Sequence, residues 1–199
     1  MRPVGRDRGD GVRTSSAGPL PRTTAYLAVA RCVATTAALL AGGRIRLPPG
    51  NVGREIEFDD GSSARVYRET VTPLVPHEPC FLVVSFRLRW VRGRVGHAFF
   101  RGESLLNTPL FVGFAGFVSK LWLAHDTHGR YRGLYEWDGT ARAERYARSL
   151  WRVLELVCEA GSIDYRVVPG LHRDEALAHP DLLPAADAGD PGWWRVVAA

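Results

Sequence analysis

The chain has three cysteines, one lysine and one methionine in 199 residues. Cys32, Cys80 and Cys158 are odd in number and far apart, which excludes a disulfide framework and the usual zinc spacings. They are expected as buried or half-buried free thiols in a reducing cytoplasm. No glycine-rich phosphate loop, nucleophile elbow or useful Cys–His spacing occurs. The longest apolar run, Tyr26–Ala41, holds 16 residues and includes Arg31. A membrane span needs about 20. A signal peptide fits poorly too, because the leader carries Asp7 and Asp10 and lacks a small-x-small cleavage site. The expected placement is cytoplasmic, without a membrane partner.

Lys120 is the lone lysine, and arginine supplies the rest of the positive charge. That bias carries no mechanism by itself. The charge is uneven: +3 over residues 1–80, +7 over 81–152 and −5 over 153–199. A basic middle and an acidic end favour self-complementarity over nucleic acid. Arg87, Arg89, Arg92 and Arg94 could meet phosphates, but no stacking aromatics of a known module accompany them, which argues against nucleic acid.

Residues 1–43 read as a disordered or loosely helical extension, and 44–79 as a linker followed by a β-hairpin. In that hairpin Ile56 and Phe58 alternate with acidic residues before an Asp60-Gly61 turn. Pro79–Trp90 alternates as a strand with apolar residues on both faces. Val95–Leu106 is a weaker helix, interrupted by Gly102. FVSKLWLA and YRGLYEW flank the polar turn HDTHGR and predict a second hairpin. Ala143, Ala147, Leu150, Leu154 and Val157 then form the apolar stripe of a helix over 140–159, capped by Asp138 or Thr140. A last strand, IDYRVV, ends before Pro169-Gly170. The tail, 176–199, reads as mobile, with Trp193-Trp194 docking at its tip.

From Phe81 onward the order is strand, helix, strand, strand, helix, strand. This predicts an α+β fold: a ferredoxin-like βαββαβ core over 80–175, with an extra N-terminal β-hairpin. Such a sheet carries helices on one face. The other face would be covered by a second copy, giving a homodimer, or partly by the N-terminal hairpin. Over about residues 80–170 the segment GFAGFVSKLWLAHDTHGRYRGLYEWDGTARAERYA resembles the YdhR-type monooxygenase family of the dimeric α/β-barrel superfamily. The shared pattern is a Gly-Phe and Lys-x-Trp strand, an acidic turn, a Gly-x-Tyr-x-Trp strand and an Ala- and Tyr-containing helix.

The resemblance implies an oxygenase that uses no metal, flavin or haem, acting on a small aromatic substrate in an apolar cavity. Lys120, Tyr135 and His97 are the catalytic candidates, with Trp122, Glu136 and Trp137 on the substrate. Independently of any family, a lysine in an apolar strand must be paired, reach water or lose its charge. The bland alternative pairs Lys120 with Glu136 across the hairpin. Tyr135 and Trp137 share a strand face, as aromatic core or as the wall of a ligand cavity. His125, Asp126 and His128 fall in a tip loop that reads as a solvated turn, not a metal site. The competing functional class is a non-catalytic binding or assembly module, which would fill the cavity with Trp122, Trp137 and Leu150.

Overall fold

A computed structural model of the chain describes residues 13–14, 18–89 and 110–199. The helix expected over Val95–Leu106, together with Trp90, Arg92, Arg94 and His97, lies outside the described residues. Among the described residues the helices are α1 (Arg22–Ala41), α2 (Thr140–Leu154) and α3 (Arg173–Ala178). The strands are β1 (Arg13–Thr14), β2 (Glu55–Phe58), β3 (Ser63–Val71), β4 (Pro79–Arg87), β5 (Phe117–Leu123), β6 (Arg130–Asp138), β7 (Asp164–Pro169) and β8 (Val196–Ala198). They form one sheet in the order β1-β7-β4-β6-β5-β3-β2-β8. Neighbouring strands pair antiparallel throughout.

The chain is α+β, but the ferredoxin-like βαββαβ core is not its architecture. The sheet does not stop at four strands; it continues as a curled, antiparallel half-barrel. The cause is the outer edge of β5. Its unpaired N–H and C=O groups need partners, and the long strand β3 supplies them from Val66 opposite Leu123 to Val71 opposite Ser119. The N-terminal hairpin is therefore part of the sheet, not an addition to it. β8 then closes the edge of β2.

Strands β5 and β6 are buried almost along their whole length on both faces. One face carries Phe81, Val83, Leu121, Leu123 and Leu134. It packs against Leu177, Leu183 and Trp194 of the C-terminal segment. The other carries Leu82, Val84, Trp122, Tyr135 and Trp137, and packs against Ala143, Tyr146 and Leu150 of α2. The face that the sequence left to a second copy is thus covered within the chain. The homodimer expectation loses the open face on which it rested. The tail expected to be mobile is ordered: α3, a 3₁₀ turn at Pro180–Leu182 and β8 run through it, and Trp194 is fully buried.

Buried arginines fix that C-terminal cover. Arg132 donates from Nε to the Trp193 carbonyl at 2.9 Å, from Nη1 to Asp126 at 2.7 Å, and from Nη2 to Asp60 and Ser62. Arg166 pairs with Asp190, which also accepts the Trp194 indole N–H at 3.0 Å. Arg173 pairs with buried Glu69 at 2.7 Å. Asp126 is consequently buried and not a solvated turn residue. Burial alone would raise its carboxyl pKa, but the N–H groups of Arg130 and His128 and the Arg132 guanidinium together hold it below the ordinary value.

On the helix side, α1 is a regular helix of 20 residues. By length and composition it could cross a membrane. Here it lies against α2, and Arg148 and Arg152 donate to the carbonyls of Gly18 and Leu20 just before it. The loop before β5 comes so close that a Cβ on Gly113 would sit 2.0 Å from the Cys32 carbonyl oxygen. No side chain caps α2. Asp138 instead accepts the N–H groups of His77 and Glu78, both at 2.9 Å, and an ion pair from Arg142.

Removing one member of a buried ion pair strands the other, at a cost of about 3–5 kcal/mol. Arg132→Ala should therefore lower the unfolding free energy by that much, seen as a lower urea midpoint at unchanged slope, and free the C-terminal segment for proteolysis. An unchanged midpoint would show that the arginine clamp does not hold the cover.

Candidate functional site

Between α2 and its sheet face lies an apolar cavity of about 350 Å³. Lys120, Trp122, Tyr135, Tyr146, Phe111 and Leu150 are among its walls. Its position follows from strand parity. Lys120 and Trp122 are two residues apart, so both face the helix. Lys120 sits opposite Tyr135 across the β5–β6 pair, and Trp122 sits opposite Gly133. Gly133 leaves its side of the floor bare. A Cβ there would lie 2.7 Å from the Tyr135 ring, so no larger residue fits without moving that ring.

Lys120 is the unusual group in this cavity. Its Nζ lies 3.2 Å from the Trp122 ring centroid, 4.6 Å from Phe111 and 4.7 Å from Tyr135. Among the described residues its Nζ has no hydrogen bond or ion pair. The expected pairing with Glu136 does not occur. Glu136 is on the other face of the sheet, where its Oε1 lies 2.5 Å from the His172 Nδ1. Two effects oppose each other at the amine. The rings favour the ammonium by about 2 kcal/mol or more for a desolvated contact. Taking an unpaired charge out of water costs several kcal/mol, and Arg68, stacked 4.3 Å from the same Trp122 ring, repels a second cation. Desolvation dominates, Arg68 adds to it, and the Lys120 pKa falls well below 10.5.

The phenols shift the other way. Tyr146 donates its hydroxyl to the Tyr135 oxygen at 3.0 Å. Burial raises the pKa of both, so they are proton donors and not bases at neutral pH. Trp122 is anchored by its indole N–H, which donates to the buried Thr70 hydroxyl at 3.1 Å. Burial pushes the thiols of Cys32, Cys80 and Cys158 up to about 11, 12 and 12, so they are protonated and weak nucleophiles.

Of the residues singled out in the sequence, Lys120, Trp122 and Tyr135 come together here. Trp137 is fully buried in the aromatic core beside Tyr146 and does not line the cavity. Glu136 faces away, and His97 lies outside the described residues. Tyr146, Phe111 and Tyr67 were not anticipated; they come from α2, the loop before β5 and the β3 strand. The helical spacing of Tyr146 with Ala143 and Leu150 was the one available signal for any of them. Among the described residues no three His, Cys, Asp or Glu side chains are placed to hold a metal ion.

Comparison with known proteins leaves the chain without a family. No family model matches it. No curated protein matches it either. One solved structure, titled as that of a major regulator of staphylococcal pathogenesis, is similar at 13% identity and a TM-score of 0.34. The match covers 78% of this chain and 95% of the other. The likeness is too slight to bear on fold or role. The resemblance to YdhR-type monooxygenases is not upheld: no monooxygenase family is matched, and the half-barrel sheet is not that family's barrel.

Lys120 makes stability depend on pH in a defined direction. Unfolded, its amine keeps a proton up to about 10.5; folded, it releases that proton well below this value. Between the two the unfolded state binds the extra proton, so stability rises with pH across the window, by about 1.4 kcal/mol per pH unit. The rise should appear in urea midpoints of the wild type as the pH increases toward about 10.5. It should be absent from Lys120→Met, which should also be the more stable protein at pH 7. Parallel pH profiles would show that the amine is charged in the fold.

Proposed function

We propose that the chain binds a small, largely apolar molecule with an aromatic or similarly flat body in the cavity between α2 and the sheet. The observation that carries this reading is the lysine. An ordinary core has few voids larger than a water molecule, whereas ligand sites are apolar hollows of about 300–1,000 Å³ with a few placed polar groups. This cavity falls in that range, and Lys120 and the Tyr135–Tyr146 hydroxyl pair are polar groups on its wall. An assembly module had no reason to leave the space open. In a catalytic version, the neutral amine of Lys120 takes a proton from an acidic aromatic substrate such as a phenol. The resulting ammonium then holds the anion. Oxygen uptake with a hydroquinone substrate, lost in Lys120→Met, would extend the reading from binding to turnover.

Binding itself is tested with N-phenylnaphthylamine, a neutral probe whose emission rises in apolar sites. Saturable one-to-one binding is expected, with quenching of tryptophan emission through Trp122. Leu150→Trp should fill the cavity and weaken the probe about tenfold or more, because a large side chain then occupies the ligand's volume. No saturable binding by a wild type that is folded by circular dichroism would end this reading.

A further inference from the structure

We infer that Lys120 is a covalent capture site for carbonyl compounds: its Nζ, set in the aromatic-walled cavity beside Arg68 and away from any carboxylate among the described residues, condenses with an aldehyde or ketone to form an imine. The inference rests on the cavity reading above and adds the chemistry of the ligand. It uses three observations. The amine faces an apolar cavity through a ring of Phe111, Trp122 and Tyr135. A fixed cation, Arg68, shares the Trp122 ring and disfavours the ammonium form. Desolvation together with a neighbouring cation is how a lysine is made nucleophilic at neutral pH. The alternative nucleophiles do not compete, since none of the three buried cysteines lines the cavity.

The reaction needs no co-reactant. The Nζ lone pair attacks the carbonyl carbon, and the carbonyl π electrons move to oxygen. A proton passes from nitrogen to that oxygen, giving the carbinolamine. Protonation of its hydroxyl lets water leave as the nitrogen lone pair closes the C=N bond, and loss of the remaining N–H proton returns the acid catalyst. Amine plus carbonyl becomes imine plus water, with no change of oxidation state. The Tyr146–Tyr135 hydroxyl pair is on the same cavity and stays protonated at neutral pH, so it can supply the proton that water departure requires. An apolar cavity also excludes the water that would hydrolyse the imine. The ligand class is an aromatic aldehyde or ketone: a flat apolar body with one carbonyl.

Because Lys120 is the chain's single lysine, peptide mapping need only separate its alkylation from that of the α-amino group. The full chain is incubated with benzaldehyde and sodium cyanoborohydride, and alkylation is read by intact mass and peptide mapping. The reference is a chain carrying Lys120→Met and Arg145→Lys, which moves the amine to an exposed position on α2. At pH 7 Lys120 should be benzylated about tenfold faster or more than the amine at position 145, the factor one pKa unit makes in the free-amine fraction. The advantage should disappear above pH 10. N-phenylnaphthylamine should block the reaction at Lys120 and not at position 145. Labelling no faster than at the exposed site, in a protein that binds the probe, overturns the covalent step and leaves the cavity reading intact. Fast labelling that the probe does not slow overturns the location of the reaction in the cavity. Failure of both probe binding and labelling overturns both.

Discussion

The structure depends on one constraint: the central strands β5 and β6 have no solvent face. A strand in an antiparallel sheet commonly buries one set of side chains and leaves the other wet. Here Leu121, Leu123 and Leu134 on one side, and Trp122, Tyr135 and Trp137 on the other, all need cover. Two layers are therefore required, and the chain supplies both. α2 covers one side, with α1 packed against it. The C-terminal segment covers the other. The same demand explains why the N-terminal hairpin joins the sheet edge instead of standing apart. Extending the sheet through β3 and β2 gives the C-terminal cover a wider apolar floor, on which Ile56, Phe58 and Trp194 meet.

The two covers are held by different physics. On the C-terminal side, the segment contains short elements that bury little area individually. Charged hydrogen bonds from Arg132, Arg166 and Arg173 set its position. Each of these cations meets a carboxylate, so the desolvation penalty is offset and the geometry becomes specific. On the helix side, the contacts are mainly aromatic and aliphatic. Rings of irregular shape, with Gly133 beneath them, leave a space that the side chains do not fill. One face is thus closed by directional bonds, and the other keeps a cavity.

Much of this was legible in the sequence, and the failures have physical causes. β4, β5, β6 and α2 announce themselves through period-two and period-3.6 patterns, because both faces of those strands and one stripe of that helix are buried. Strict strand alternation would not hold at Phe117. A bulge between Phe117 and Ser119 turns Phe117 toward Trp137, away from Leu121 and Leu123, with which its numbering grouped it. Strand order beyond the hairpin failed for a deeper reason. A hairpin followed by a helix is a local pattern shared by many sheets, and nothing in it says what pairs with the outer edge. The family resemblance drew on that local pattern and inherited its limits. Lys120 stood out because a lysine in an apolar strand conflicts with its surroundings, and the structure brings it together with Tyr135 on the cavity wall. Glu136 alternates with Tyr135 and Trp137 along β6 and so faces the other side of the sheet, where it meets His172.

The identity of residue 120 follows from the same reasoning. The chain uses arginine at 25 of its 26 basic positions, yet at this one it has lysine. Arginine keeps its proton under all ordinary conditions, so burying it calls for a carboxylate, as Arg132, Arg166 and Arg173 show. The helix-side cavity offers aromatic rings and a neighbouring guanidinium instead. A second fixed charge at that point would repel the Arg68 guanidinium already stacked on Trp122. Lysine fits because it can discard its proton and remain as a neutral amine with a free lone pair. Next to the fixed Arg68 cation the chain thus carries its one dischargeable base, and that base faces an unfilled apolar space.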